Sequence, residues 1–406
     1  MKQTKIAAAF IRGGTSNAIV FNQQHLPSDR ALWDEIFMAA IGSPDPYGRQ
    51  LDGMGGGLSS LSKVCVVGKS KRPDADVDYT FAQVLIKEAK VDYTTMCGNM
   101  SSAIGPFAVD EGLVTVTGDE ALVRIHSTNT GKIVHARFPV EDGVAVVDGE
   151  LAIPGVAGTG APVRLEFCAP GGATTGKMLP TGEAVTTLDV PGVGRIACSM
   201  VDAANACVFV RAADVGLTGT EMPEALEQNL AVMKKLGAIR LAASVAMGIS
   251  KNIEEAARKP SVPFIGVVSA PRDAPSLSGD PIQANQADVT GRMLSNGQVH
   301  RALPLTCTVS RSSCPSEGVS CSPGTVISGT SLPCQASTEA SKNGAQSRLE
   351  RMALTLRCRR SSRACSICFE CVPSAANCRA KRPSERANVM KSRGSPDLRS
   401  KDQSFV

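Results

Sequence analysis

The segments Asn17-Ala18-Ile19-Val20-Phe21 and Asn205-Ala206-Cys207-Val208-Phe209 match in character at an offset of 188, and each leads into a polar loop and then an amphipathic helical pattern. A strand, loop and helix recurring in one order constrain the fold more than any other feature, because self-similar units bury their apolar faces in similar ways. The first helix is expected at 31–41, with Ser28 or Asp29 near its N-cap and Leu32, Ile36, Phe37 and Ala40 on one face. The second should follow Thr220, through Leu226, Leu230, Met233 and Leu236. Around them the chain reads as short strands: residues 122–126, 132–138, 163–168 and 264–269 are β-branched or alternating, punctuated by Gly or Pro. A chain of 406 residues exceeds what one core usually organises. Two homologous domains are therefore expected, 1–185 and 186–306.

After Thr306 the character changes. Residues 1–306 hold 27 Lys and Arg against 31 Asp and Glu, whereas 307–406 hold 16 against 7, so an acidic body precedes a basic tail. Nine of the 14 cysteines lie between Cys307 and Cys378, about one tail residue in five is Ser, and apolar periodicity nearly vanishes. Such a segment does not build a core, and three readings stand open: an out-of-frame translation or misassembled exon, natural disorder, or a metal-binding run at Cys358, Cys365, Cys368 and Cys371. The tail's arginines lack the aromatic residues or module that nucleic-acid binding would call for.

The strongest chemical signal is Cys97-Gly98-Asn99-Met100-Ser101-Ser102-Ala103, where a strand ends and a helix begins. Amides around Gly98, Asn99 and Met100 precede the first intrahelical bonds, and the helix dipole there favours negative charge on a bound carboxylate or on the Cys97 sulfur. A small buried hydrophobe is the alternative reading of Cys97. The second signal is Asp52-Gly53-Met54-Gly55-Gly56-Gly57 followed by Ser59, Ser60, Ser62 and Lys63, a glycine-rich loop running into a strand. Its amides and hydroxyls suit an anion, and a partly buried Lys63 suits a proton acceptor, although a surface lysine at a strand end would look the same. Arg12-Gly13-Gly14-Thr15-Ser16 is either a carboxylate-binding turn or a plain one. His300 and Arg301, on or after a helix expected to end near Asn296, are either anion binders or surface residues.

Other chemistries are disfavoured. His25, His126, His135 and His300 show no metal-ligand spacing, so no metal is expected; His135 alternates with Ile133 and Arg137 as an ordinary strand residue would. No G-x-G-x-x-G joins a strand to a helix, and no cofactor is expected. No apolar run reaches the roughly 18 residues that a membrane span needs. A cytoplasmic protein acting on a small molecule, open to forming a homodimer, is the expectation.

In combination, RGGTS at 12–16, DGMGGG at 52–57, SSLSKV at 59–64, CGNMSSAIGPFA at 97–108, VDAANACVFVRAADVGLTGTE at 201–221 and GRMLSNGQVHRA at 291–302 resemble the 2-methylaconitate isomerase (PrpF) family over nearly all of residues 1–306. The resemblance implies an α+β, diaminopimelate-epimerase-like fold: two pseudo-symmetric β-barrel domains, each around a central helix, with the active site between them. It implies a cofactor-independent isomerase that shifts a proton or double bond, by cis-trans isomerisation or allylic tautomerisation, in a small unsaturated tricarboxylate such as 2-methylaconitate, aconitate or oxalomesaconate. Lys63 and Cys97 would be the proton-transfer groups, and Ser16, Ser59, Ser62, Gly98, Asn99, Met100 and His300 would bind substrate. A two-thiol amino-acid racemase pairing Cys97 with Cys307, or a degenerate carboxylate-binding protein, are the alternatives. The chain departs from the family's usual pattern at Asn17 and Ala18, where lysine and glycine are usual, and at Leu61, where threonine is. The motif after His300-Arg301-Ala302 usually runs through T-G-A into the second central helix, but here Thr306 meets Cys307. An incomplete second domain, in a poorly stable or inactive chain, is the resulting expectation.

Overall fold

The computed structural model describes residues 5–153, 156–277, 279–287, 289–312 and 351–360. The chain opens with the hairpin β1 (Ala9–Gly13) and β2 (Ser16–Asn22), then runs through α1 (Trp33–Ile41) to β3 (Lys63–Lys69), parallel to β2. It turns back as β4 (Val77–Val84) and the short β5 (Val91–Asp92), and enters α2 (Gly98–Asp110). Next come β6 (Glu120–Ser127), β7 (Ile133–Glu141), β8 (Val144–Ala145), the small pair β9 (Leu151–Ala152) and β10 (Thr159–Gly160), and β11 (Pro162–Cys168). The second part comprises β12 (Thr186–Val190), β13 (Gly194–Ala203), β14 (Asn205–Arg211), α3 (Pro223–Gln228), α4 (Leu230–Ala246), α5 (Ile253–Ala257) and β15 (Phe264–Ser269). It continues with the pair β16 (Ala274–Pro275) and β17 (Pro281–Ile282), then β18 (Thr290–Ser295), β19 (Gln298–Val299) and α6 (Leu305–Ser312); β20 (Arg351–Arg360) follows.

The repeat seen in five residues extends through a whole motif. Hairpin β1–β2, helix α1, parallel β3, then antiparallel β4 and β5, then α2, reappear as hairpin β13–β14, helix α4, parallel β15, antiparallel β18 and β19, and α6. In both copies the outer helix supplies the crossover that a parallel strand pair requires.

In the first copy β1, β2, β3, β4, β6, β7, β11 and β20 hydrogen-bond in a closed ring. α2 runs through its interior and is buried from Gly98 to Val109. A helix enclosed in this way must be apolar or self-satisfied on every side. Met100, Ile104 and Phe107 pack against Val20, Tyr79, Val123, Ala136 and Phe167 of the wall. The Ser101 hydroxyl donates to the Cys97 carbonyl (3.1 Å) and that of Ser102 to the Asn99 carbonyl (2.7 Å), so neither needs water. β6, β7 and β11 alternate buried and outward residues as the sequence implied, with His135 and Arg137 facing out.

α1 covers the outside of β2 and β3. Its buried face is Trp33, Phe37, Ala40 and Ile41, with Phe21 and Phe37 stacked at 5.8 Å. Leu32, expected on that face, is exposed, because Arg30–Leu32 form a separate 3-10 turn capped by Asp29. The second sheet, in the order β12-β13-β14-β15-β18-β19, is open among the described residues and lacks the closure expected of a barrel. α4 packs Leu236, Ile239 and Ala243 on one of its faces, and α6 lies with Cys207, Phe209, Phe264 and Met293 on the other. The helix expected after Thr220 is two helices. Asn229 leaves helical geometry (φ −81°, ψ 79°) and caps α4 by accepting the Val232 N–H, which turns Leu230 out to solvent.

Two expectations for the tail change. The second central helix is not absent, since α6 begins at Leu305 and buries Thr306, Cys307 and Ser310. Residues 351–360 form β20, paired with β1 and β11; Met352, Leu354, Leu356 and Cys358 alternate with other residues at the period of a strand. Cys365, Cys368 and Cys371 lie outside the described residues. Among the described residues no helix is long and apolar enough to cross a membrane.

Candidate active site

The first turn of α2 is brought against the β1–β2 hairpin by the lack of a side chain at Gly13, where a Cβ would sit 2.5 Å from the Asn99 carbonyl oxygen. That approach lets Asn99 donate from Nδ2 to Thr15 Oγ1 (2.9 Å) and Ser16 Oγ (3.4 Å). Lys63, the first residue of β3, is buried and extends along the same wall. Its Nζ donates to Cys97 Sγ at 3.3 Å and to Ser16 Oγ at 3.3 Å, with the Phe81 ring 5.6 Å away. Cys97 immediately precedes α2, and the first intrahelical bond, from Ser101 N–H to the Cys97 carbonyl (3.0 Å), leaves the amides of Gly98, Asn99 and Met100 ahead of it.

These groups border a cavity of about 330 Å³. Its far side comes from the second sheet and α6, and includes Phe264, Ser295, His300 and Thr306. His300 is held between Ser295 Oγ, 2.7 Å from Nε2, and the Phe264 ring, 5.8 Å between centroids. Burial first, then the positive neighbours Lys63 and Arg301, push its imidazole down to about 3, so the ring is neutral at physiological pH. Arg12, Lys63 and Arg301 are the cationic lining residues, and no carboxylate lines the cavity among the described residues. Arg301 is tied to Glu227 at 2.6 and 2.9 Å and to Glu224 at 3.3 Å, which neutralises much of its charge.

Of the residues singled out from sequence, Ser16, Lys63, Cys97, Gly98, Asn99 and His300 converge on this cavity. Ser59, Ser62 and Met100 do not line it. The Ser62 hydroxyl is engaged by Gln50 Oε1 (2.7 Å) and the Leu58 carbonyl (2.8 Å), the Ser59 N–H donates to Gln298 Oε1 (2.9 Å), and the Met100 side chain fills the barrel core. The glycine-rich loop is not the anion cradle expected. Met54 and Gly55 donate to the Ala40 and Ile41 carbonyls at the end of α1, and Gly57 donates to Gln50 Oε1, so these amides are already taken. His300 follows the β18–β19 hairpin rather than a helix; Asn296 (φ 51°) and Gly297 (φ 72°) form its turn.

Sequence reasoning passed over Gln83 and Asn205. Gln83 lies opposite Lys63 in the β3–β4 ladder and donates to the Ser59 and Ser62 carbonyls, both at 3.0 Å, fixing the turn that delivers the lysine. Asn205, fully buried, donates to the Met96 carbonyl (2.9 Å) and Thr306 Oγ1 (2.8 Å), and so pins the residue before Cys97 to the start of α6. Asn205 stood in the repeat, but as a strand residue; only the strand's position against both helix starts reveals its role.

The PrpF protein family profile matches residues 3–333. A 3-methylitaconate isomerase from Eubacterium barkeri is 42% identical over 308 residues, covering 75% of this chain and 80% of its own. A 2-methyl-aconitate isomerase from Shewanella oneidensis is 37% identical over 318 residues, covering 76% and 80%. The crystal structure of a methylitaconate-delta-isomerase superposes with a TM-score of 0.68 at 36% identity, over 89% of this chain and 95% of that one. With profile, relatives and a helix-in-barrel fold in agreement, the chain belongs to the PrpF family, whose named relatives here are isomerases.

Proposed function

We propose that this chain is a cofactor-independent isomerase that moves a proton, and with it a double bond, within a small unsaturated di- or tricarboxylic acid, using Lys63 and Cys97 as the proton-transfer pair. The observation that carries the reading is the 3.3 Å contact between Lys63 Nζ and Cys97 Sγ at a cavity bordered by helix amides, hydroxyls and cations. A C–H beside a conjugated carboxylate is weakly acidic, so its removal requires donors aimed at the charge that develops. Ser16, Asn99, the α2 amides and neutral His300 are the candidates for that task. The relatives' names supply three acids to try, methylitaconate, methylaconitate and oxalomesaconate, and aconitate, expected from the sequence, is the fourth. A cytoplasmic location and a homodimer belong to the same reading, the latter checked by light scattering.

The two-thiol racemase loses ground because Cys307 does not border the cavity. It lies buried with Cys207, Phe209 and Met293, and burial and the neighbouring Cys207 hold its thiol protonated. Incubation with each acid in heavy water, followed by proton NMR of the vinyl and methylene signals, tests the proposal. Deuterium entry with a shifted double bond is expected for at least one acid, and loss of both in Lys63→Ala. Tight binding of every acid with no exchange would select the non-catalytic alternative.

A further inference from the structure

Resting on that reading, we infer that Lys63 and Cys97 act on one and the same face of the substrate, so that the reaction is a suprafacial allylic shift: the proton leaves to one of the pair and a proton returns from the other without crossing the plane of the conjugated acid. Both groups belong to the first barrel, one at the start of β3 and the other at the start of α2, and they touch through a hydrogen bond of 3.3 Å. The two ends of an allyl unit are slightly closer together than that. A flat substrate lying against this wall therefore presents one terminal carbon to nitrogen and the other to sulfur. A pair working from opposite faces would have to be separated by the thickness of the substrate, which two groups in mutual contact are not.

The opposite wall offers no substitute. The titratable side chains lining the cavity, among the described residues, are Arg12, Lys63, Cys97, His300 and Arg301. Arginine does not give up its proton in proteins, and Arg301 is also paired with Glu227 and Glu224. His300 faces Lys63 and Arg301 and sits against Phe264 and Ser295, an arrangement that keeps it neutral and leaves it a hydrogen-bond partner.

The step balances without any co-reactant. With the pair as amine and thiol, the allylic C–H bond breaks, its proton passes to Lys63 Nζ, and the electron pair spreads through the conjugated carboxylate. The Cys97 S–H then delivers its proton to the far carbon, forming the new C–H bond and moving the double bond. The thiolate recovers a proton from the Lys63 ammonium along their shared hydrogen bond, which resets both groups.

The test uses the full chain and whichever of the four acids it isomerises fastest. For methylitaconate, whose methylene becomes a methyl group without a configuration of its own, the methylene carries one deuterium of known geometry and tritiated water supplies the third isotope, so that the chirality of the methyl group reports the face. The chosen acid, carrying deuterium in one configuration at its acidic carbon, is converted in ordinary water, and the unlabelled acid in heavy water. NMR of the products gives the configuration of the hydrogen lost and of the deuterium gained. Loss from one configuration only, with gain on the same face, is expected. Isomerisation with gain on the opposite face, or with both faces labelled equally, overturns this inference while leaving the isomerase reading intact. Failure to isomerise any of the four acids removes the isomerase reading and this inference with it.

Discussion

Acidification reads out directly how His300 is held. Burial and the positive neighbours Lys63 and Arg301 push its imidazole down to about 3 in the folded chain, whereas the unfolded chain returns it to about 6.5. Below that value the unfolded state takes up a proton that the native state refuses. The stability linked to neutral His300 is thus complete above about pH 6.5 and is lost as pH falls toward the folded value. For one such proton, the loss between about pH 7.5 and about pH 5 comes to about 2 kcal/mol. Part of the ring faces the cavity, yet even half of the shift would leave a loss of about 1.7 kcal/mol. Carboxylates held low by their partners, such as Asp76 and Glu227, also lose stability on acidification, but they do so whatever residue stands at 300. The assay is therefore urea unfolding across this pH range for the chain and for His300→Gln, which keeps a polar group toward Ser295 and does not titrate. The chain should lose about 2 kcal/mol more than the variant. Equal losses in both would show that His300 titrates normally and that its neutral placement is wrong.

Lys63→Met should lower kcat by about 10²- to 10⁴-fold, the usual contribution of a general acid or base, and should suppress deuterium exchange in parallel; unchanged exchange would move the base elsewhere. Asn205→Ala deletes two short hydrogen bonds and strands the buried Met96 carbonyl, which together should destabilise the chain by about 3 kcal/mol in urea unfolding. A change of less than about 0.5 kcal/mol, the level of an ordinary surface substitution, would remove Asn205 from its pinning role. Gly13→Ala places a methyl 2.5 Å from the Asn99 carbonyl; a loss of about 1–3 kcal/mol with reduced turnover is expected, and an unchanged chain would mean that the hairpin does not press on α2.

The architecture was legible where pattern and period agree. The 188-residue offset found β2 and β14 and the helical segments that follow them, and alternation found β6, β7, β11 and β15. That Lys63 and Cys97 border one cavity was legible only through the family resemblance, since the residues alone also fit a surface lysine at a strand end and a small buried hydrophobe. What escaped depends on distant partners. Three serines within four residues look alike in sequence, yet Ser60 borders the cavity while the Ser62 hydroxyl is taken by Gln50. The glycine loop resembles an anion cradle until the end of α1 is seen to claim its amides. Asn296-Gly297 carries the strongest short hairpin signal available, but the expectation of a helix ending near Asn296 masks it. Asn229 is a good cap in sequence, and the break it imposes was hidden by apolar spacing that ran through it.

The starts of α2 and α6 press against each other: a Cβ on Gly98 would come within 2.9 Å of Thr306 Cγ2. Each helix begins with roughly half a positive charge, so two such ends facing one chamber repel. A doubly charged acid lodged between them would act as a keystone, held by both helix starts at once.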